Sequence, residues 1–155
     1  METVYIETTV VSYLVANRSA EPEVAARQEL TRKWWEHRRP WFACYISEEV
    51  VEEASLGDAE QVRRRLAALQ GLERLAITPD VADLAAAFLE TGAMPRKAAQ
   101  DAVHLAVASC ARMDFLLTWN FRHLANAQIL RRLHREAERK AWKLPEVCTP
   151  MQLME

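Results

Sequence analysis

Short apolar runs rich in β-branched and aromatic residues alternate with helical segments along this whole chain. Alternation of this kind is typical of a mostly parallel sheet covered by helices on both faces. We therefore predict a three-layer α/β/α sandwich with a central sheet of about five strands. The predicted strands cover residues 3–7, 41–46, 73–77, 114–119 and 145–150. The predicted helices cover residues 8–14, 21–39, 47–55, 57–71, 78–92, 94–112 and 122–142.

The composition predicts one globular domain over residues 1–155. Half of the residues are hydrophobic and 27% are charged, which is ordinary for such a domain. No apolar run approaches the ~20 residues of a membrane span, and no signal-peptide pattern is present. The three cysteines lie in apolar runs without metal-site spacing, so we expect reduced thiols in a cytoplasmic protein. The net charge of −2 argues against a surface that coats nucleic acid broadly, although a local basic patch stays possible.

Oxygen-bearing side chains recur where the predicted strands end. In parallel sheets, ligands bind outside the carboxyl ends of the strands, so these side chains are candidates for one shared site. Clustered carboxylates repel one another unless a cation lies among them, and hard oxygen ligands suit Mg²⁺ or Mn²⁺. Such a metal supports hydrolysis of a phosphodiester bond. The candidates are Glu7, the acidic run Glu48, Glu49, Glu52 and Glu53, then Asp101, and finally Asn120.

Each candidate also has a purely structural interpretation. Glu7 fits a solvated strand end, the acidic run fits a helix N-terminus, and Asn120 is a common turn residue. Asp101 is harder to explain in this way, because the helix beyond it is apolar nearly all round and a buried carboxylate needs a cation or donors. His104, on the same helix face, fits a core or hydrogen-bonding residue better than a metal ligand.

Four motifs resemble, in order and spacing, the acidic motifs of PIN-domain nucleases, and in particular the VapC-like toxins of type II toxin–antitoxin systems. The similarity covers nearly the whole chain and implies the PIN-like form of the α/β/α sandwich. The motifs are VYIETTVVSYL (4–14), ISEEVVEEASLGD (46–58), PRKAAQDAVHLAVA (95–108) and LLTWNFRHLANA (116–127).

The resemblance implies a Mg²⁺-dependent endoribonuclease that a small cognate antitoxin holds inactive. Glu53 is the glutamate six residues beyond Ser47, and Glu52 would point about 100° away on a helix. Four residues are implied to hold the metal and carry catalysis: Glu7, Glu53, Asp101 and Asn120.

Two of these positions depart from the family pattern. Glu7 stands where an Asp is usual, and the added methylene moves its carboxylate outward, although Mg²⁺ demands near-ideal geometry. Asn120 in place of Asp removes one negative charge and weakens the case for a second tightly bound metal. We therefore expect one metal in the resting state and a weakened or narrowly selective enzyme.

The leading hypothesis is a metal-dependent ribonuclease. A basic stretch at 131–143 carries six Lys or Arg against two Glu, which fits an RNA track and a solvated helix face equally well. Residues expected to contact the substrate lie beside the acids: Thr8, Arg96, Lys97, Thr118, Arg122 and His123.

Two alternatives keep the α/β fold. The first is a catalytically weak or inactive module that binds RNA or protein, and the second is a receiver-type phosphoacceptor. The second is disfavoured because the strands end in neither the Asp nor the Lys that such a domain needs. The resemblance implies three partners, namely RNA, a small antitoxin and a second copy of the chain. One ring of Trp34 and Trp35 is expected outside the main core face of its helix, which fits an interface and a Trp packed over a helix edge equally well.

Overall fold

The computed structural model describes residues 1–155 and contains one five-stranded sheet in which every neighbouring pair is parallel. The spatial order is β3-β2-β1-β4-β5, so the first strand is central. The predicted α/β architecture is confirmed. The strands are β1 (Thr3–Ile6), β2 (Ala43–Ser47), β3 (Glu73–Leu75), β4 (Phe115–Leu117) and β5 (Glu146–Cys148).

Seven α-helices connect and flank the strands. Those between β1 and β3 contact one another, and so do those between β3 and β5. Because crossovers between parallel strands are right-handed, the reversal of strand order after β3 places these groups on opposite faces. The helices are α1 (Thr8–Val15), α2 (Pro22–Lys33), α3 (Glu48–Ala54), α4 (Ala59–Leu69), α5 (Pro79–Glu90), α6 (Ala99–Cys110) and α7 (Ala127–Arg139).

The core lies on both sides of the central strands. Val4, Tyr5 and Ile6 of β1 are fully buried, because helices cover both faces of a parallel sheet. In α6 the small residues Ala102 and Ala106 are also fully buried, which allows the helix to lie close against its neighbours. This near-continuous burial of α6 agrees with its apolar sequence.

Several predicted boundaries were wrong. β2 begins at Ala43 because Arg39–Trp41 forms a 3₁₀ turn, and α2 passes at Trp34 into a π-helical turn that ends at Arg38. Helix α7 begins at Ala127 and not at residue 122, since the side chain of Asn126 accepts hydrogen bonds from the amides of Gln128 and Ile129. Residues 122–125 consequently form a turn beside the sheet edge.

Three further expectations bear on surface and redox state. The cysteines are all free, and Cys148 is buried. Trp34 is fully buried while Trp35 is half-buried, so only one ring of the pair lies wholly in the core. None of the helices has both the length and the apolar character needed to cross a membrane.

Candidate active site

The strand order brings the polar residues after β1, β2 and β4 to one edge of the sheet. Ile6 pairs with Leu117, and the amide of Glu7 donates to the Leu117 carbonyl at 3.0 Å. Glu7 therefore lies beside Thr118 directly after the central strand. On the other side β1 pairs with β2, whose last residue Ser47 leads straight into α3.

Glu7 is a buried carboxylate, with 2% of its surface exposed. It caps α1 by accepting a hydrogen bond from the Thr9 amide at 3.1 Å, and it also accepts from the hydroxyls of Thr9 and Thr118, the latter at 2.6 Å. Burial raises the pKa of Glu7, and nearby His104 and these donors offset only part of that effect. No Lys or Arg forms an ion pair with this carboxylate, so its charge is compensated by dipoles and by His104 alone.

Glu53 reaches the same place from α3. Its Oε1 accepts hydrogen bonds from the Thr8 hydroxyl, at 2.6 Å, and from Nε2 of His104. Burial raises the pKa of Glu53, but the hydrogen bond and charge of His104, together with Thr8, outweigh it and hold the pKa below its usual value. The pKa values of the two neighbouring carboxyls are therefore shifted in opposite directions, that of Glu7 upward and that of Glu53 downward.

His104 connects this edge to the core. The ring is fully buried in α6, and its Nδ1 lies 2.7 Å from the hydroxyl of Tyr5, which in turn lies 2.7 Å from the Ser47 hydroxyl. Burial lowers the pKa of His104, but the carboxylates of Glu53 and Glu7 outweigh it and raise the pKa above the usual value. The hydrogen-bonding role favoured from the sequence is what the structure shows.

Asp101 is held in a second cluster at the same edge. Its Oδ1 accepts from the side-chain amide of Asn120 at 3.1 Å, and its Oδ2 lies 3.0 Å from Nδ1 of His123. The His123 amide donates to the Asn120 side chain at 3.0 Å, and the Asn120 amide donates to the Thr118 hydroxyl at 2.9 Å. Thr118 therefore links the Asp101 cluster to Glu7.

The structure places the predicted site residues in three groups. Ligand atoms of Glu7, Glu53 and His104 all lie within 4.8 Å of one another, and Asp101 lies outside that group in the second cluster. Thr8 and Thr118 are buried and bond the carboxylates directly. The remaining cations are exposed beside the site, in the turn before α6 and in the turn after β4: Arg96, Lys97 and Arg122.

Sequence reasoning did not anticipate the supporting residues. Thr9 donates to Glu7 twice, and Tyr5 and Ser47 continue the hydrogen bonds of His104 into the core. The available signals were the two threonines directly after Glu7 and the three-residue spacing of Asp101 and His104. Tyr5 gave no signal, because an aromatic residue in a buried strand is ordinary.

The donor set fits a hard divalent cation. Two carboxylates that converge on one another, one of them buried without a basic partner, form the arrangement that a cation stabilises. Both nitrogens of His104 already bond Glu53 and Tyr5, so the free ligand atoms are mainly oxygens. Oxygen ligands suit Mg²⁺ or Mn²⁺ better than softer metals.

The five-stranded parallel sheet in this order is consistent with a PIN-like fold, and the chain shares its fold with two solved structures of VapC toxin systems. It is similar to Mycobacterium tuberculosis VapC20, a sarcin-ricin loop cleaving toxin, with a TM-score of 0.59 and 17% identity over 77% of this chain and 91% of that one. It is also similar to VapBC2 from Rickettsia felis bound to a DNA fragment from their promoter, with a TM-score of 0.53 and 15% identity over 95% and 98% of the two chains. No family model and no curated protein matches the sequence.

Proposed function

We propose that this protein is a Mg²⁺- or Mn²⁺-dependent endoribonuclease and the toxin of a type II toxin–antitoxin pair. The observation that carries the proposal is the convergence of Glu7, Glu53 and His104 within 4.8 Å at the carboxyl edge of the sheet. The fold shared with VapC20, which cleaves the sarcin-ricin loop, supports an RNA substrate.

Glu7 and Glu53 would hold the cation, with Asp101 and Asn120 facing the same edge from the second cluster. When bound, a divalent cation would supply a nucleophile from water at neutral pH and stabilise the charge that develops on the phosphate. Hydrolysis of this kind would leave a 5′-phosphate and a 3′-hydroxyl on the cleaved RNA.

The protein's own residues fix the carboxylates before any ligand arrives. Thr9 and Thr118 hold Glu7 from two sides, and Thr8 and His104 hold one oxygen of Glu53. Because these donors are buried or part-buried, the carboxylates cannot rotate freely toward solvent, and less reorganisation is needed on binding. Such support leaves the second oxygen of Glu53 free of protein donors.

Exposed cations would contact the RNA backbone. Arg96, Lys97 and Arg122 form no ion pair and lie next in sequence to the α6 and Asn120 regions. Unpaired basic side chains bind phosphates with little competition from protein carboxylates. His123 and Thr8 lie nearer the acids. They would position Asp101 and Glu53, to which their side chains are hydrogen-bonded.

The test is Mg²⁺-dependent cleavage of RNA by the wild-type protein, Asp101→Asn and Asp83→Asn. Asp83 is an exposed residue of α5 and serves as the matched control. We expect cleavage by wild type and by the control, abolition by EDTA, and a loss of at least about 100-fold in Asp101→Asn. Equal rates for wild type and Asp101→Asn would reject the proposed mechanism.

A second candidate is a catalytically weak or inactive module that binds RNA or protein. The observation that favours it is that Asn120 and His123 engage both oxygens of Asp101, which lies outside the compact donor group. Calorimetric titration with Mn²⁺ separates the two functions. Saturable binding that Glu53→Gln abolishes supports the nuclease, whereas no saturable binding supports the module.

The proposed function implies an antitoxin, a cytoplasmic location and a homodimer. A small antitoxin gene directly upstream, whose product suppresses cleavage when co-expressed, would support the toxin assignment. Light scattering coupled to size exclusion tests the dimer, and a monomer at micromolar concentration would contradict it. The half-buried Trp35, with the Arg39 guanidinium 4.8 Å above its ring, is one candidate contact surface.

A further inference from the structure

An aromatic cluster lies directly beside the acidic edge. Trp119 is 5% exposed, its indole Nε1 donates to the Thr31 hydroxyl at 2.8 Å, and its ring stacks on Tyr13 with centroids 6.0 Å apart. The Trp119 amide also donates to the Thr9 hydroxyl at 2.9 Å. The Trp119 ring is therefore held in place by Thr31 and Tyr13, and its backbone is hydrogen-bonded to Thr9, which itself donates to Glu7.

Phe121 packs against Trp119 and extends into solvent. Its ring is 45% exposed and meets Trp119 edge to face at 6.1 Å. Only Asn120 separates the two aromatic residues in the chain, and the side-chain amide of Asn120 donates a hydrogen bond to Asp101. An exposed aromatic ring is thus fixed within one residue of the acidic cluster.

Arg27 of α2 completes the surface. Its guanidinium lies 4.9 Å from the ring centroid of Phe121 and 5.9 Å from that of Trp119. It forms no ion pair, and no hydrogen bond from its side chain is present. Arg27 is therefore a cation held by aromatic rings, with its donors available to a ligand.

We propose that Phe121 and Arg27 form a nucleotide-binding subsite that stacks one unpaired RNA base on Phe121 and binds an adjacent phosphate through Arg27. The inference rests on the proposed function and specifies its substrate as single-stranded RNA at the cleavage site. Aromatic rings stack on any exposed base, and base faces are accessible only where the RNA is unpaired. A free guanidinium beside the ring matches the charge of the backbone.

The binding experiment uses a single-stranded RNA oligonucleotide carrying 2-aminopurine, with each variant in an Asp101→Asn background that prevents cleavage. Variants are Phe121→Ala, Phe121→Tyr and Arg27→Gln, with Trp41→Ala as control. Trp41 is 68% exposed, but it precedes β2 and so lies at the opposite edge of the sheet. Circular dichroism and thermal melting confirm that each variant is folded.

We expect about tenfold weaker binding and a loss of 2-aminopurine quenching in Phe121→Ala, and near wild-type behaviour in Phe121→Tyr and Trp41→Ala. Arg27→Gln is expected to weaken binding and to reduce the salt dependence by about one phosphate contact. A fully paired RNA should bind equally to wild type and Phe121→Ala. Unchanged binding and quenching in Phe121→Ala would overturn the subsite.

The cleavage-competent protein separates this inference from the proposed function. If wild type cleaves RNA and Phe121→Ala has an unchanged KM, the nuclease stands and the subsite is rejected. If no cleavage occurs but Phe121→Ala loses quenching, the subsite stands and the nuclease is rejected. If Phe121→Ala loses only inhibition by the antitoxin, the surface binds protein and the RNA subsite is rejected.

Discussion

The Nε2 of His104 donates to Oε1 of Glu53 while its Nδ1 faces the Tyr5 hydroxyl at 2.7 Å. A fully buried imidazole therefore joins an edge carboxylate to the central strand. Residues that hold a metal ligand in this way orient it and raise its basicity. The acidic edge of the sheet therefore depends on a side chain that need not contact a ligand.

His104→Ala is expected to weaken Mn²⁺ binding and RNA cleavage by about 10- to 100-fold, because Glu53 loses its orienting partner. It should also destabilise the fold by about 1–3 kcal/mol, since the buried Tyr5 hydroxyl loses a partner. Calorimetry, cleavage rates and urea denaturation measure the three effects. Tyr5→Phe, which keeps the ring and leaves the Glu53 contact, is the control. An equal loss of metal binding in both variants would show that the effect comes from core packing instead.

Divalent cations are expected to stabilise the wild-type protein through Glu7. The buried carboxylate has a raised pKa and no Lys or Arg ion-pair partner, so a cation that binds only the folded state should raise Tm with the logarithm of its concentration above Kd. In Glu7→Gln this Mg²⁺ response should disappear, whereas Glu29→Gln on the exposed face of α2 should keep it. Thermal melting in EDTA and in millimolar Mg²⁺ gives the comparison. A full Mg²⁺ response in Glu7→Gln would place the cation elsewhere.

The sheet was predictable because β1, β2 and β4 are apolar runs that lead into a polar residue, and alternation with helices is typical of parallel pairing. The first residues of β2 and α7 were not predictable, because the 3₁₀ turn at Arg39–Trp41 and the Asn126 cap depend on local hydrogen bonds. The sequence indicated the acids, since polar residues that follow parallel strands meet at one edge of the sheet and the four motifs resemble those of a known nuclease family. It did not indicate the separation of Asp101 from Glu7 and Glu53, which depends on side-chain orientation at the sheet edge.

The cysteines are expected to be unreactive in the folded protein near neutral pH. Burial raises the pKa of Cys44 and of Cys110 to about 11 and that of Cys148 to about 12. The pKa of a thiol in the unfolded chain is ~8.5. Keeping these thiols protonated in the folded state therefore costs no stability below that pH, and the folded state loses stability as the pH rises from there through the folded pKa values. A disulfide reagent at pH 8 should label these thiols rapidly in urea and at least about 100-fold more slowly in the native state. Equal labelling rates in the two states would contradict the raised pKa values. Comparison of wild type with Cys148→Ser shows which part of the labelling comes from Cys148, the thiol with the highest pKa.

Asn120→Asp tests whether the amide at this position limits metal binding. The side-chain amide of Asn120 donates to Asp101 at 3.1 Å, and a carboxylate placed there would face the carboxylate of Asp101. Without metal, this repulsion should lower Tm below that of wild type. With Mn²⁺ the added charge should increase affinity, so the rise in Tm from EDTA to Mn²⁺ should exceed that of wild type. Asn120→Ala removes the hydrogen bond without adding charge and is the control. If Asn120→Asp and Asn120→Ala respond equally to Mn²⁺, the residue acts by positioning Asp101 and its charge has no part in metal binding.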